Sequence, residues 1–162
     1  MWQTLLGGII AITGSLVGIY ATQYFQRKNE GKNIASAFYG EISAILGMIK
    51  KRKYIEGAIE ALEYMNETGK GQIFHFNYKK DHFKVYEQNI SKIGLLNDPL
   101  PEKIVLFYTY IFAVLQDIED ISKPDYTFPE TAELKELFQE LLDISTEIIT
   151  LGEEILVLIK GK

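Results

Sequence analysis

Acid–base or metal chemistry in this chain would have to come from two histidines. Cysteine is absent, which removes thiolate ligands, a cysteine nucleophile and disulfides. His75 and His82 lie in or beside an aromatic stretch, GQIFHFNYKKD (Gly71–Asp81). Imidazole is the side chain whose ordinary pKa suits a general base or a neutral metal ligand near neutrality. No ExxH or HExxH spacing accompanies either histidine, and Glu60, Glu63 and Glu67 read as an exposed helical face rather than a ligand set. A phosphate-cradling glycine loop and a GxSxG elbow are both missing. From these residues we expect no catalytic set, no metal set and no cofactor.

The other chemically distinct cluster is Lys50-Lys51-Arg52-Lys53. It is a candidate contact for nucleic acid or for an acidic protein partner, with His82 as a second candidate contact. Four consecutive helical residues point to every side of the helix, so they cannot build one flat binding stripe. A solvated helix end is the favoured reading, and nucleic acid is the least favoured partner. The 10 tyrosines and 9 phenylalanines fall mostly at core-compatible positions and read as packing rather than as base-stacking platforms.

The elements that must carry these residues are organised by charge. The 162 residues have a net charge of −5 and 24% charged side chains, and their mean hydropathy is −0.01. That average conceals a division. Trp2 to Gln26, WQTLLGGIIAITGSLVGIYATQYFQ, contains no Asp, Glu, Lys or Arg. As helix it would extend about 37 Å, enough to cross a hydrocarbon core of about 30 Å with some tilt. Trp2 lies at one end and Tyr20, Tyr24 and Phe25 near the other, the positions amphipathic rings favour at headgroup level. Arg27, Lys28 and Lys32 follow at once. The positive-inside rule then puts the N-terminus outside and the rest of the chain in the cytoplasm, at the inner membrane. A signal peptide fits less well, because the run is too long and no basic side chain precedes it.

Within this run Gly7, Ala11, Gly14, Gly18 and Ala21 repeat at spacings of 4, 3, 4 and 3, with Thr4 one step earlier. A mean period of 3.5 draws one narrow stripe along a helix face. In lipid, helices associate by close backbone approach, which small residues permit, and Gly14–Gly18 is a literal GxxxG. The stripe is therefore the expected transmembrane assembly surface of a homo-oligomer.

The remainder, 27–162, reads as a cytoplasmic helical domain. The spacing of Ile34, Phe38, Ile42, Ile45 and Ile49 predicts a helix from Asn33, continued through Ile55, Ile59, Leu62 and Met65 after a shift of face and stopped at Gly69-Lys70-Gly71. Gly71–Asp81 is expected to be an extended loop or short hairpin. Helix resumes over about Phe83–Ile93 and closes at Gly94. Asn97-Asp98-Pro99 is a start signal for a helix to about Ile121, burying Ile104, Phe107, Ile111, Leu115 and Ile118. After a loop at Ser122–Phe128, Pro129 is expected to open a last helix of about 30 residues, carrying Leu134, Leu137, Phe138, Leu141, Ile144, Ile148, Leu151, Ile155 and Leu158. The fold class expected is all-α, an N-terminal transmembrane helix over 2–26 followed by a cytoplasmic bundle of three to four helices. Residues 27–92 hold 12 basic and 8 acidic side chains, whereas residues 98–154 hold 3 and 14. That asymmetry suits contact between subunits or attraction of a basic partner as well as it suits a solvated acidic face.

Three blocks, FYGEISAIL (Phe38–Leu46), VYEQNISKIGLLND (Val85–Asp98) and KIVLFYTYI (Lys103–Ile111), together with the uncharged run, are similar to a broad set of small bacterial proteins with one membrane helix and a cytoplasmic helical domain. Within that plan the chain resembles the membrane accessory protein of type VI-B CRISPR systems. The resemblance implies an oligomeric ring whose N-terminal helices form a pore, a divergent HEPN-like helical domain beneath, and membrane permeabilisation in antiphage defence. HEPN ribonucleases carry an Arg followed four to six residues later by His. Here Arg27 and Arg52 have no His at that distance, and Asn77-Tyr78-Lys79-Lys80-Asp81-His82 has Asn in place of the Arg.

The leading expectation is a single-pass membrane protein, in contact with the lipid bilayer and with copies of itself, that self-associates through the stripe and forms a pore. Two alternatives stay open: a membrane-anchored adaptor presenting its acidic helical surface to a protein partner, and a membrane-tethered HEPN-like ribonuclease using His82.

Overall fold

The computed structural model describes residues 2–70, 83–121 and 131–161; for residues 2–12 and 121 it describes the backbone alone. The connector Gly71–Asp81, both histidines, the loop Ser122–Phe128 and Pro129 lie outside the described residues. The described chain is helical throughout: α1 Trp2–Arg52, α2 Tyr54–Thr68, α3 Lys84–Asn89, a 3-10 helix Ile90–Leu95, α4 Leu100–Ile121 and α5 Thr131–Lys160. A bundle of helices is therefore the fold of residues 31–160, as the apolar spacing predicts.

Helix α1 is one uninterrupted element of 51 residues, about 76 Å at 1.5 Å per residue. The sequence pattern from Asn33 marks only where α1 begins to bury a face. The helix itself starts at Trp2 and passes the charge boundary at Gln26–Arg27 without a break. No proline or capping residue interrupts this stretch, so the i→i−4 ladder has no reason to stop.

The break comes at Lys53, where continuation was expected. Lys53 adopts φ 53° and ψ 42°, the left-handed region, at a cost of roughly 1 kcal/mol for a residue with a side chain. Its N–H donates to the Lys50 carbonyl at 3.3 Å, and its own carbonyl accepts from Gly57 at 2.9 Å. The shift of apolar face between Ile49 and Ile55 thus reflects a real turn in the backbone. At the far end of α2 the expected stop holds: Gly69 has φ 67° and donates its N–H to the Met65 carbonyl at 3.1 Å. The Thr131 hydroxyl then donates to the Gly69 carbonyl at 3.1 Å, tying the start of α5 to the end of α2.

Helix α5 joins two cores. Its C-terminal half puts Ile148, Leu151 and Ile155 against Ile34, Phe38, Ile42 and Ile45 of α1 and Ile104, Phe107, Tyr108 and Ile111 of α4. Its N-terminal part puts Leu134 and Phe138 against Ala61 and Met65 of α2. The side chains expected to be core are buried or half-buried, with the exception of Ile59, which is exposed. The stretch Phe83–Ile93, read from sequence as one helix, divides into α3 and the 3-10 helix. The tighter winding brings the Leu95 carbonyl down onto Gly31 of α1.

Two glycines mark close approaches. A Cβ on Gly31 would stand 2.6 Å from the Leu95 carbonyl oxygen, and one on Gly152 would stand 2.8 Å from Cε2 of the fully buried Phe107. Gly40, also helical and exposed, has open space where its Cβ would be. Gly31→Ala and Gly152→Ala should each destabilise by about 1–3 kcal/mol, the usual penalty of overpacking. Gly40→Ala should instead stabilise by about 0.5–1 kcal/mol through helix propensity. Thermal melting of the full chain in detergent measures all three, and equal effects at Gly31 and Gly40 would contradict this packing.

Candidate membrane-anchoring and assembly surface

The part of α1 that precedes the bundle has no intramolecular cover. From Thr13 to Asn29 every side chain is exposed except Ala21, which is half-buried. The exposed set includes Leu16, Val17, Ile19, Tyr20, Tyr24 and Phe25, each more than half accessible. Leaving one such apolar side chain in water forgoes about 1.5–3 kcal/mol relative to burial, and six lie within ten consecutive residues. The Thr22 hydroxyl is turned back onto the Gly18 carbonyl at 2.8 Å, reducing what it offers to solvent.

Because α1 is continuous, Gly14, Gly18 and Ala21 share one helix face, as their spacing requires. Gly14 and Gly18 meet no atom within 4 Å of an added Cβ. Among the described residues nothing packs against Gly14 or Gly18 on that face. The side chains of Gly7 and Ala11 positions, and of Thr4, lie outside the described residues, although the helix runs through them. Among the described residues no helix is long and apolar enough to cross a membrane. Side chains of the uncharged run are described over residues 13–26, about 21 Å of helix, and residues 2–12 as helical backbone alone.

What holds this helix at a fixed angle to the bundle is a carboxylate on its buried side. Glu41 lies one position before Ile42 and three after Phe38, on the face α1 turns inward. Its Oε2 accepts the Val85 N–H at 2.7 Å and its Oε1 accepts the Tyr86 N–H at 3.1 Å. The Tyr108 hydroxyl of α4 donates to the same Oε1. Helix α3 has no capping side chain of its own, so Glu41 supplies acceptors to the unpaired donors of its first turn. Around the carboxylate, Tyr86 and Tyr108 stack with ring centroids 4.1 Å apart and planes 23° apart. Phe38 and Phe107 approach Tyr108 at 6.2 and 5.2 Å. Burial, and then the neighbouring Glu41, push the Tyr108 phenol well above its ordinary value.

This constellation was not singled out from sequence. Its members come one from each of the three familiar blocks: Glu41 from FYGEISAIL, Tyr86 from VYEQNISKIGLLND and Tyr108 from KIVLFYTYI. The detectable signal was a glutamate in register with Phe38, Ile42 and Ile45, where an amphipathic helix should have been apolar. The three blocks meet as a packing node, in which the carboxylate accepts from three donors.

The remaining candidates are separated from this node. Lys50, Lys51 and Arg52 form the last turn of α1, and Lys53 is the left-handed residue that ends it. Cations in a last helical turn complement the partial negative charge of the C-terminal carbonyls. Arg52 donates to the Tyr54 hydroxyl at 2.9 Å and lies 6.0 Å from its ring centroid. The run thus divides between two elements, with no single face, and His82 lies outside the described residues. Beside Arg52, a cavity of about 170 Å³ lies between the two cores, lined by Ile45, Ile49, Ile111, Leu115, Leu142 and Ile148 with Arg52, Tyr54 and Ser145 as its polar edge. Its walls suit a small apolar molecule better than ordered water.

Tyr108→Phe should destabilise the full chain by about 1–2 kcal/mol, and Glu41→Gln by about 1–3 kcal/mol, since buried donors lose a charged acceptor. The fold keeps the Tyr108 proton at pH values where an unfolded tyrosine, with its ordinary pKa of 10.0, would release it. The folded state then binds more protons, so stability should fall as pH rises above about 10. The contribution is complete below that pH, and its alkaline loss should be shallower in Tyr108→Phe. Melting curves between pH 8 and pH 11.5, about 1.5 units either side of the ordinary tyrosine value, read this slope directly.

No protein-family model matches the chain, and no curated protein or solved structure does either. The exposed uncharged helix and the basic boundary beneath it carry the functional reading by themselves.

Proposed function

We propose that this chain is a single-pass membrane protein. Residues 2–26 of α1 cross the bilayer, with the N-terminus outside and the helical domain on the cytoplasmic side. Copies associate through Gly7, Ala11, Gly14, Gly18 and Ala21. The observation that carries the reading is the bare, uncharged stretch of α1. Over residues 13–26 it exposes large apolar side chains, Leu16, Val17, Ile19, Tyr20, Tyr24 and Phe25 among them, each more than half accessible. A helix that is apolar on every face needs an apolar surrounding, and a bilayer supplies one without further contacts. The arrangement Tyr20, Tyr24, Phe25, then Arg27, Lys28, Lys32 supports the orientation, because aromatic rings favour the interface and basic residues the cytoplasmic side.

Self-association gives the anchor a function beyond attachment. Gly14 and Gly18 leave room for a second backbone at close range. Continuity through residue 52 makes each helical domain a rigid extension of its own span. A ring of such helices would enclose a pore, the arrangement implied by the resemblance to the type VI-B CRISPR accessory protein, and its role would be membrane permeabilisation in antiphage defence. An adaptor role for the acidic helices α4 and α5 is separated from this by replacing residues 2–26 with a soluble coiled coil. An adaptor keeps partner binding after that exchange, whereas a pore loses its activity.

Gly14→Leu combined with Gly18→Leu should disperse the detergent-solubilised oligomer to smaller species, and Gly14→Leu alone should do so in part. Mass photometry checks this, and an unchanged particle mass would count against the stripe. Liposomes loaded with a self-quenched dye should leak on reconstitution of the wild-type chain and hold their dye with the double variant. Intact liposomes at high wild-type density would remove the pore while leaving the anchor in place.

A further inference from the structure

Beside the charge boundary α1, the 3-10 helix and the end of α5 enclose an open groove whose charged lining, among the described residues, is entirely basic. Arg27, Lys28 and Lys32 come from α1 and Lys160 from the last residue of α5, with no Asp or Glu on its walls. The only nearby acid of that part of α1, Glu30, is paired with Lys92 at 2.6 Å and does not line the groove. Asn97 and Ser36 add neutral hydrogen-bonding groups. Three of the cations begin one residue after the uncharged run ends, and on a continuous helix they lie within about 9 Å of that end along the axis.

Lys160 does not belong to the boundary in sequence. The fold brings it into the same groove beside Tyr39, about 20 Å along α1 from the end of the uncharged run. Its ammonium lies 5.4 Å from the Tyr39 ring centroid. Helical side chains lean toward the N-terminus of their own helix, so Tyr39 leans toward the boundary and carries Lys160 with it. An ammonium carries three N–H donors and no acceptor, which suits it to a phosphate oxygen.

We infer that this groove binds an anionic phospholipid headgroup, with Lys32 and Lys160 engaging its phosphate and Arg27 and Lys28 adding positive charge toward the membrane side. The inference rests on the membrane reading above. Juxtamembrane basic residues attract anionic lipid in any case. What the groove adds is selectivity that depends on the folded position of Lys160, and with it a coupling of lipid binding to the docking of α5 on α1.

The test reconstitutes the full chain in nanodiscs of phosphatidylcholine containing a minor fraction of phosphatidylglycerol, then counts retained lipids by native mass spectrometry after mild detergent transfer. The wild type should retain phosphatidylglycerol above its share of the mixture. Lys32→Gln and Lys160→Gln should each reduce that enrichment about five-fold, the equivalent of roughly 1 kcal/mol per basic side chain. Lys135→Gln, the same charge change near the opposite end of α5, should leave it unchanged, since such separations are fully screened. A chain that enters both lipids without preference, or whose preference survives Lys160→Gln, overturns the groove while the anchor stands. Displacement of phosphatidylglycerol by millimolar inorganic phosphate assigns the site to a soluble anion and overturns the lipid. Failure to enter any nanodisc overturns the anchor and the groove together.

Discussion

A carboxylate on the buried side of α1 has to find donors, and the first turn of a short helix without a cap has to find acceptors. Glu41 and α3 answer each other: two backbone N–H groups and the Tyr108 hydroxyl converge on one side chain. Much of the geometry depends on that exchange. It sets α3 against α1, and the 3-10 helix that follows is then laid over Gly31, where only a glycine lets the Leu95 carbonyl come so near. It also pins α4 to α1 through Tyr108, leaving α5 a fixed pair of helices to pack on, with Gly152 admitting Phe107 at close range. The surface ion pairs Lys92–Glu30 and Lys103–Glu154 are solvent-exposed and add at most about 1 kcal/mol each.

The consequence for function is mechanical. Because α1 does not break between Trp2 and Arg52, the bundle has no hinge separating it from the uncharged helix. In the proposed oligomer, any rotation of one domain about the helix axis turns its small-residue face by the same angle. The end of α5 lines the groove below that boundary, with Lys160 beside Tyr39. The proposed membrane surface is therefore assembled from both ends of the chain.

Much of this was legible beforehand. The uncharged run, its flanking charges and its glycine spacing are properties of the sequence and need no coordinates. The periodic apolar residues of α1, α4 and α5 mark their buried faces, since burying a helix stripe demands a 3.6-residue repeat. The Gly69 stop was readable because few residues other than glycine take the left-handed conformation at low cost. Lys53 was not, because a lysine carries no local signal for φ 53° and adopts it only because α2 must turn to meet α5. Glu41 was hidden for a related reason. A single glutamate in an amphipathic helix looks like a surface residue until its donors, 44, 45 and 67 positions away, are brought to it.

By itself, then, the sequence determined composition along the axis of α1: where charge is excluded, where it returns, and which residues repeat on one face. These follow from short-range periodicity, which a helix converts into space without help from the rest of the chain. Tertiary structure alone decided that the basic run divides at a left-handed lysine and that a carboxylate joins three helices. It also decided that Lys160 stands beside Tyr39. Each of these depends on contacts between residues far apart in the chain, which no local pattern encodes.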